Sequence, residues 1–275
     1  MPRWDRMSYI KTRNGNKIYI KDWGKGRPVI LLHGWLHCAD TWDETAMAIA
    51  DAGFRAIAYD RIGHGRSSQP FDGYDFDSLT DDLADVMKET SAQDATIIGF
   101  SMGGGEVARY MSRHSGKNVV KAGLVSSVVP FLLKTPDHPD GVPESVFAQM
   151  AAGMKKDRAS FFGAFFKDFF GSGVSDEVLE WGRKMAMETS FKATLACANA
   201  FATTDFRPDL KAFKVPTLII HGTADKTVPI DITARAAAAA IPNSKLIEYE
   251  GAAHGIFARP EKDRLTSDIL AFLRS

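Results

Sequence analysis

Ile97-Ile98-Gly99-Phe100-Ser101-Met102-Gly103-Gly104-Gly105-Glu106 is an apolar, β-branched stretch that runs into G-x-S-x-G and then into a helical pattern. A strand, a turn and a helix in that order are the setting in which this motif forms a nucleophile elbow. A serine at the tip of so sharp a turn takes a strained backbone conformation, and the residues two positions away must be small or the arms of the turn collide. Gly99 and Gly103 supply that room. The helix beginning after Ser101 points free N–H groups and the positive end of its dipole at the serine, where an oxyanion would form. Ser101 is therefore the first candidate nucleophile.

A serine hydroxyl attacks at neutral pH only if an imidazole takes its proton, and the imidazole is oriented by a carboxylate on its other nitrogen. Thr217-Leu218-Ile219-Ile220-His221-Gly222-Thr223-Ala224-Asp225 reads as a buried strand ending in a Gly-containing loop, which puts Asp225 just past a strand's carboxyl end. Glu250-Gly251-Ala252-Ala253-His254-Gly255 stands in the same relation to the last predicted strand. The order Ser, Asp, His is the one found in hydrolases with a serine elbow. Oxyanion donors are expected from the backbone N–H of Met102 and of Trp35, because His33-Gly34 at a strand end allows a tight bend that turns the next amide inward.

The other histidines carry less. His33 and His221 each precede a glycine at a strand end and are read as bonding loop backbone, while His37, His64, His114 and His138 are placed in loops or on helix surfaces. Asp60-Arg61 is read as an ion-paired loop clamp. No H-E-x-x-H or similar spacing exists, so neither a metal nor an organic cofactor is expected.

Outward from the elbow, residues 8–13 and 17–23 flank Asn14-Gly15, a type I′ turn signal, and predict an opening antiparallel hairpin. Short apolar runs at 29–32, 55–59, 95–98, 119–125, 217–220 and 245–249 suit parallel strands covered on both faces. Helical patterns separate most of them. One has Leu79, Leu83 and Val86 on one face with Asp77 as its cap, and the Ala-rich run 234–240 reads as another helix. This alternation predicts a mostly parallel, doubly wound α/β sheet with ligands at its carboxyl ends. Roughly ninety residues separate the strand ending near Val125 from the one near Thr217, where a whole βαβ unit takes about 30. An inserted helical lid over 130–208 is expected, dividing the core into 1–129 and 209–275. Within it Phe161, Phe162, Phe165, Phe166, Phe169 and Phe170 recur at helical spacing. They read either as packing between lid and core, or, for Phe161 and Phe165 above all, as walls of an acyl or aryl pocket.

At 275 residues, zero formal net charge and 45% hydrophobic residues, the chain suits one globular domain with an insertion. It has no global preference for nucleic acid or membrane. No apolar run reaches a membrane span and the first residues have no apolar core segment, so a cytoplasmic location is expected. Met7 is a second candidate start, which would make residues 1–6 a leader. Cys38 and Cys197, far apart and without C-x-x-C spacing, are expected as free thiols.

Gly99-Phe100-Ser101-Met102-Gly103, Tyr59-Asp60-Arg61-Ile62-Gly63-His64-Gly65-Arg66-Ser67, Glu106-Val107-Ala108-Arg109-Tyr110, Pro130-Phe131-Leu132-Leu133-Lys134, Thr204-Asp205-Phe206-Arg207 and His221-Gly222-Thr223-Ala224-Asp225 resemble the cofactor-free bacterial haloperoxidases and aryl esterases of the α/β-hydrolase fold. The resemblance spans nearly the whole chain. It implies the triad Ser101, Asp225 and His254 and oxyanion donors at Trp35 and Met102; Trp35, Leu36, Phe161 and Phe165 are the residues expected from the sequence itself to line the pocket. It implies a carboxylesterase acting on small acyl or aryl esters through an acyl-enzyme, with perhydrolase activity beside it. Perhydrolysis or the opening of lactones or lactams as the main activity is the alternative, as is a noncatalytic small-molecule receptor on the same fold. Family members are often homo-oligomers. One departure matters: haloperoxidase-named members commonly carry proline after the aromatic of the oxyanion loop, and Leu36 stands there in this chain, which favours ester hydrolysis over perhydrolysis.

Overall fold

The β-strand Ala95–Phe100 is buried along its whole length and lies inside a sheet to which the described residues contribute eight strands. The computed structural model describes residues 8–258 and 260–275; the expectations placed on residues 1–7, the start at Met7 included, lie outside them. In chain order the strands are β1 (Tyr9–Lys11), β2 (Lys17–Gly24), β3 (Pro28–Leu32), β4 (Arg55–Tyr59), β5 (Ala95–Phe100), β6 (Val119–Val125), β7 (Thr217–Gly222) and β8 (Ser244–Tyr249). Across the sheet they run β1-β2-β4-β3-β5-β6-β7-β8. β1 and β2 are antiparallel, β2 pairs antiparallel with β4, and every later pairing is parallel.

That order explains where a site can form. After β4 the chain crosses back over β3 to add β5 on the far side, so the winding direction reverses between β3 and β5. Crossovers are right-handed, so reversal sends the connecting helices to opposite faces. Helix α1 (Asp43–Asp51) therefore packs on one face with the last helix, through Thr45 and Thr266 hydroxyls 2.9 Å apart. Helices α2 (Phe76–Glu89) and α3 (Met102–Arg113) pack on the other, joined by ion pairs from Arg109 and Arg113 to Asp77. The carboxyl ends of β3 and β5 are left side by side without a helix between them, with Leu32 in register with Gly99.

Between β6 and β7 the chain forms four helices, α4 (Glu144–Lys156), α5 (Arg158–Phe170), α6 (Asp176–Glu188) and α7 (Phe191–Thr203). The two ends of this excursion meet where Phe206 N–H donates to the Pro130 carbonyl at 2.8 Å. A turn of π-helix (Asp231–Arg235) leads into α8 (Ala236–Ala240), and α9 (Lys262–Arg274) ends the chain.

Two local expectations are corrected. A type I′ turn needs positive φ at both central residues, but of Asn14 and Gly15 only Gly15 has it, at 84°. Thr12 N–H bonds Asn16 O at 2.9 Å, so three residues form the loop and the glycine closes it. The cap of α2 is Asp75, not Asp77. Asp75 has the extended backbone a cap requires and accepts from Ser78 N–H at 2.9 Å, which leaves Asp77 free to reach α3.

Asp60-Arg61 does act as a clamp, but each residue pairs elsewhere. Arg61, fully buried, donates through Nε to Glu106 Oε1 on α3 at 2.6 Å and through Nη2 to the His33 carbonyl at 2.7 Å. Asp60 accepts from Arg66 Nε at 2.8 Å and from Ala39 N–H at 2.7 Å. Tyr59 O–H adds a bond to Glu106 Oε2 at 3.1 Å. The pair thus ties the ends of β3 and β4 to α3. Truncating Glu106 to Ala strands a buried guanidinium and is expected to cost about 3–5 kcal/mol in urea unfolding. Replacing Arg61 and Glu106 together by Met and Leu should recover much of that loss.

Candidate active site

Ser101 sits between β5 and α3 with φ 54° and ψ −118°, a conformation that L side chains rarely adopt and that costs about 1–3 kcal/mol. The surrounding glycines make it attainable. A Cβ on Gly99 would collide with the Gly103 carbonyl, and one on Gly103 would stand 2.7 Å from the Leu32 carbonyl oxygen and 2.9 Å from that of His33. Gly34 lies equally close: its Cβ would be 2.8 Å from the Phe100 ring and 3.2 Å from Ser101 Cβ. The loop after β3 thereby passes directly against Ser101.

The three expected side chains meet. Ser101 Oγ lies 2.9 Å from His254 Nε2, and His254 Nδ1 lies 2.6 Å from Asp225 Oδ2. All three residues are buried. Asp225 Oδ1 accepts backbone N–H groups from Thr227 and Val228, at 2.9 and 2.8 Å. Burial alone would raise the Asp225 carboxyl, but the His254 charge and hydrogen bonds from His221 and His254 outweigh it and hold the group well below the usual carboxylate range. The His254 ring stands between Phe100 and Phe169, with centroids at 5.2 and 4.9 Å. Met102 is the first residue of α3, so its N–H has no acceptor within the helix. Trp35 follows Gly34 in the loop that touches Ser101, and its indole Nε1–H donates to the Thr194 carbonyl at 2.9 Å.

A cavity of about 250 Å³ opens at Ser101 and His254. Its walls are mostly apolar, with Trp35, Val128, Phe165, Phe169, Phe201 and Val228 among them. Two expected pocket residues do not line it. Leu36 is fully buried and Phe161 stacks outside on Phe165, with centroids 6.0 Å apart. Phe169 lines it as well, one turn beyond Phe165 at i+4, the spacing that puts it on the same face. Phe162 and Phe166 are buried packing. Leu36 also has φ 67°, where proline, fixed near −65°, cannot go. A proline at 36 would therefore require a different path for the loop.

His37 and His64 lie in loops as expected, and both are fully buried, because the loops after β3 and β4 lie under the α5 rings and beside Arg61. Burial, then nearby cationic groups, lowers the pKa of each to about 3. His33 accepts Arg61 N–H at Nε2, 2.9 Å away. Cys38 and Cys197 are free and buried.

A model of the alpha/beta hydrolase fold family matches residues 27–259. The chain is 42% identical over 273 residues to the non-heme chloroperoxidase of Kitasatospora aureofaciens, covering 97% of this chain and 99% of that one. The chain belongs to the non-heme haloperoxidase and esterase family of α/β-hydrolases. It is 41% identical to a bifunctional esterase/perhydrolase of Acinetobacter calcoaceticus, over 98% of this hydrolase and all of the relative. The bromoperoxidase structure from Bacillus anthracis superposes with a TM-score of 0.93 at 38% identity, covering 97% and 100% of the two chains. The chain is thus a serine hydrolase of the α/β-hydrolase fold. No helix of the described residues is long and apolar enough to cross a membrane.

The contact of α3 with β3 gives a direct test of the site's construction. In Gly103→Ala the new methyl meets two backbone carbonyls that have nowhere to move. The hydrolase should lose about 1–3 kcal/mol in urea unfolding, and ester turnover should fall further than the change in stability explains, because Ser101 is displaced.

Proposed function

We propose that this hydrolase is a carboxylesterase for small acyl or aryl esters. Ser101 Oγ attacks the acyl carbonyl while His254 Nε2 takes its proton. Asp225 holds the imidazole in the Nδ1–H tautomer and stabilises its cation. The oxyanion is received by Met102 and Trp35 N–H. His254 then protonates the leaving alcohol or phenol, and a water deprotonated by the same nitrogen cleaves the acyl-enzyme. The observation that carries this reading is the relay of 2.9 and 2.6 Å from Ser101 through His254 to Asp225, opening on an apolar cavity. Residues 130–208 serve as a helical cap, with α5 closing the cavity, on a core made of 1–129 and 209–275.

Perhydrolysis is the second reading, favoured by the name of the Acinetobacter calcoaceticus relative. It uses the same serine, with peroxide in place of water. Peracid formation from acetate and hydrogen peroxide, measured beside p-nitrophenyl acetate hydrolysis, separates the two: the esterase reading expects hydrolysis to be the faster.

Ser101→Ala and His254→Ala should each lower kcat on p-nitrophenyl acetate by roughly three orders of magnitude or more while leaving the fold intact by circular dichroism. Turnover near the parent rate in either variant would remove the assignment. Asp225 is held ionised well below the usual carboxylate range, and a general base acts only in its neutral form, so the rate should rise with pH on the acid side. A flat profile under chemistry-limited conditions contradicts that role. The cavity of about 250 Å³ is smaller than the roughly 300–1,000 Å³ typical of pockets for drug-sized ligands. Acetyl and butyryl esters should therefore show higher kcat/KM than dodecanoyl esters, a ranking that a panel of p-nitrophenyl esters reads directly.

A further inference from the structure

Asp225 carries two histidines. Its Oδ2 lies 2.6 Å from His254 Nδ1 and 3.1 Å from His221 Nε2, while Oδ1 accepts the two backbone N–H groups of Thr227 and Val228. The side chains of His221 and Asp225 are completely buried and that of His254 nearly so. His221 Nε2 is also 2.9 Å from the Val228 carbonyl. A carbonyl can only accept, so Nε2 carries the proton. That single proton faces both the Val228 carbonyl and Asp225 Oδ2. His221 Nδ1 has no hydrogen-bond partner among the described residues, so the neutral Nε2–H tautomer is the form its surroundings satisfy.

We propose that His221 is a positioning residue for the reaction, whose Nε2–H holds Asp225 Oδ2 in line with His254 and tempers the negative charge that Asp225 presents to it. This rests on the triad reading above. Two backbone N–H groups on Oδ1, His254 Nδ1 on Oδ2 and the shared His221 proton 3.1 Å from Oδ2 together restrain the carboxylate in line with His254. Bonding the loop backbone alone would need only the Val228 contact; the approach to Asp225 Oδ2 is additional. The other titratable groups around the pair are Glu248 on β8, in register with His221 and paired with Arg235, Asp168 on α5, which lines the cavity with His254, His37 from the loop after β3, and exposed Lys226 beside Asp225. None changes in the variants below.

Removing the His221 donor leaves more charge on Oδ2. Protonated His254 is then favoured, and the acid limb of the rate profile moves to higher pH. His221→Phe keeps a ring and removes the N–H; His221→Gln returns an N–H near the position of Nε2. On p-nitrophenyl acetate, His221→Phe should shift the acid limb of kcat/KM upward by about half to one pH unit, from the loss of one shared charge-assisted hydrogen bond. It should also lower kcat about tenfold, and the low-field proton resonance of His254 Nδ1–H should move. His221→Gln should bring limb and resonance back toward the parent. If His221→Phe does not fold, His221→Asn, whose shorter amide falls short of Asp225, is measured in its place with the same expectation. A limb and resonance that stay in place, whatever happens to melting temperature or kcat, overturn the proposal. Ser101→Ala is assayed alongside: an active Ser101→Ala would indict the triad, whereas an inert one beside an unmoved limb in the His221 variants would indict only the role of His221.

Discussion

The catalytic end of the sheet depends on how closely the first turn of α3 enters the space beyond β3 and β5. Gly103 lies beneath the Leu32 and His33 carbonyls, Gly99 backs onto Gly103, and Gly34 rests on Phe100 and Ser101. No Cβ fits at any of the three, and their shared clearance is what lets Ser101 adopt φ 54° at the tip of the turn. Such a conformation persists only where its surroundings over-determine it. Here a fully buried strand enters the turn, a helix leaves it, and the buried Arg61–Glu106 pair ties that helix to the ends of the neighbouring strands. Strand order supplies the rest, since reversal of winding between β3 and β5 brings the His33-Gly34-Trp35 loop to the same point.

Around this turn the chemistry is set by exclusion of water. His254 lies between two phenylalanine rings, Asp225 is buried, and the cavity over Ser101 is largely apolar. In so poorly polarisable a site the hydrogen bonds from Ser101 to His254 and on to Asp225 act with more force than they would in water. α5 contributes to both parts at once: Phe169 touches His254 and lines the cavity, while Phe166 packs behind it.

That Ser101, Asp225 and His254 meet was legible because each lies where local chemistry leaves a mark in the chain. Ser101 is flanked by the glycines its turn requires, and Asp225 and His254 each follow an apolar run that ends at a glycine. What escaped depends on contacts between distant segments. His37 belongs to a polar-looking loop, and nothing nearby in sequence reveals that rings from α5 and Phe257 bury it. Helical spacing identifies the phenylalanine face of α5 but not which turns of it reach the cavity, so Phe161 is expected at the pocket where Phe165 and, one turn further on, Phe169 stand. Leu36 was misread for another reason: a left-handed conformation at a non-glycine residue leaves no trace in residue type. Asn14-Gly15 and Asp77 signalled their elements correctly and their details wrongly, since loop length and cap were decided by Thr12, Asn16 and Asp75.

The proposed function stands or falls on Ser101 as the nucleophile, raised by its turn and activated by His254. Intact-protein and peptide mass spectrometry after inactivation with an organophosphate such as paraoxon tests it most directly. One diethylphosphoryl group per chain is expected, on the peptide containing Ser101, with its appearance tracking loss of ester hydrolysis and with no adduct forming in His254→Ala on the same timescale. Inactivation with the label on another residue, or full occupancy of Ser101 without loss of activity, would contradict it.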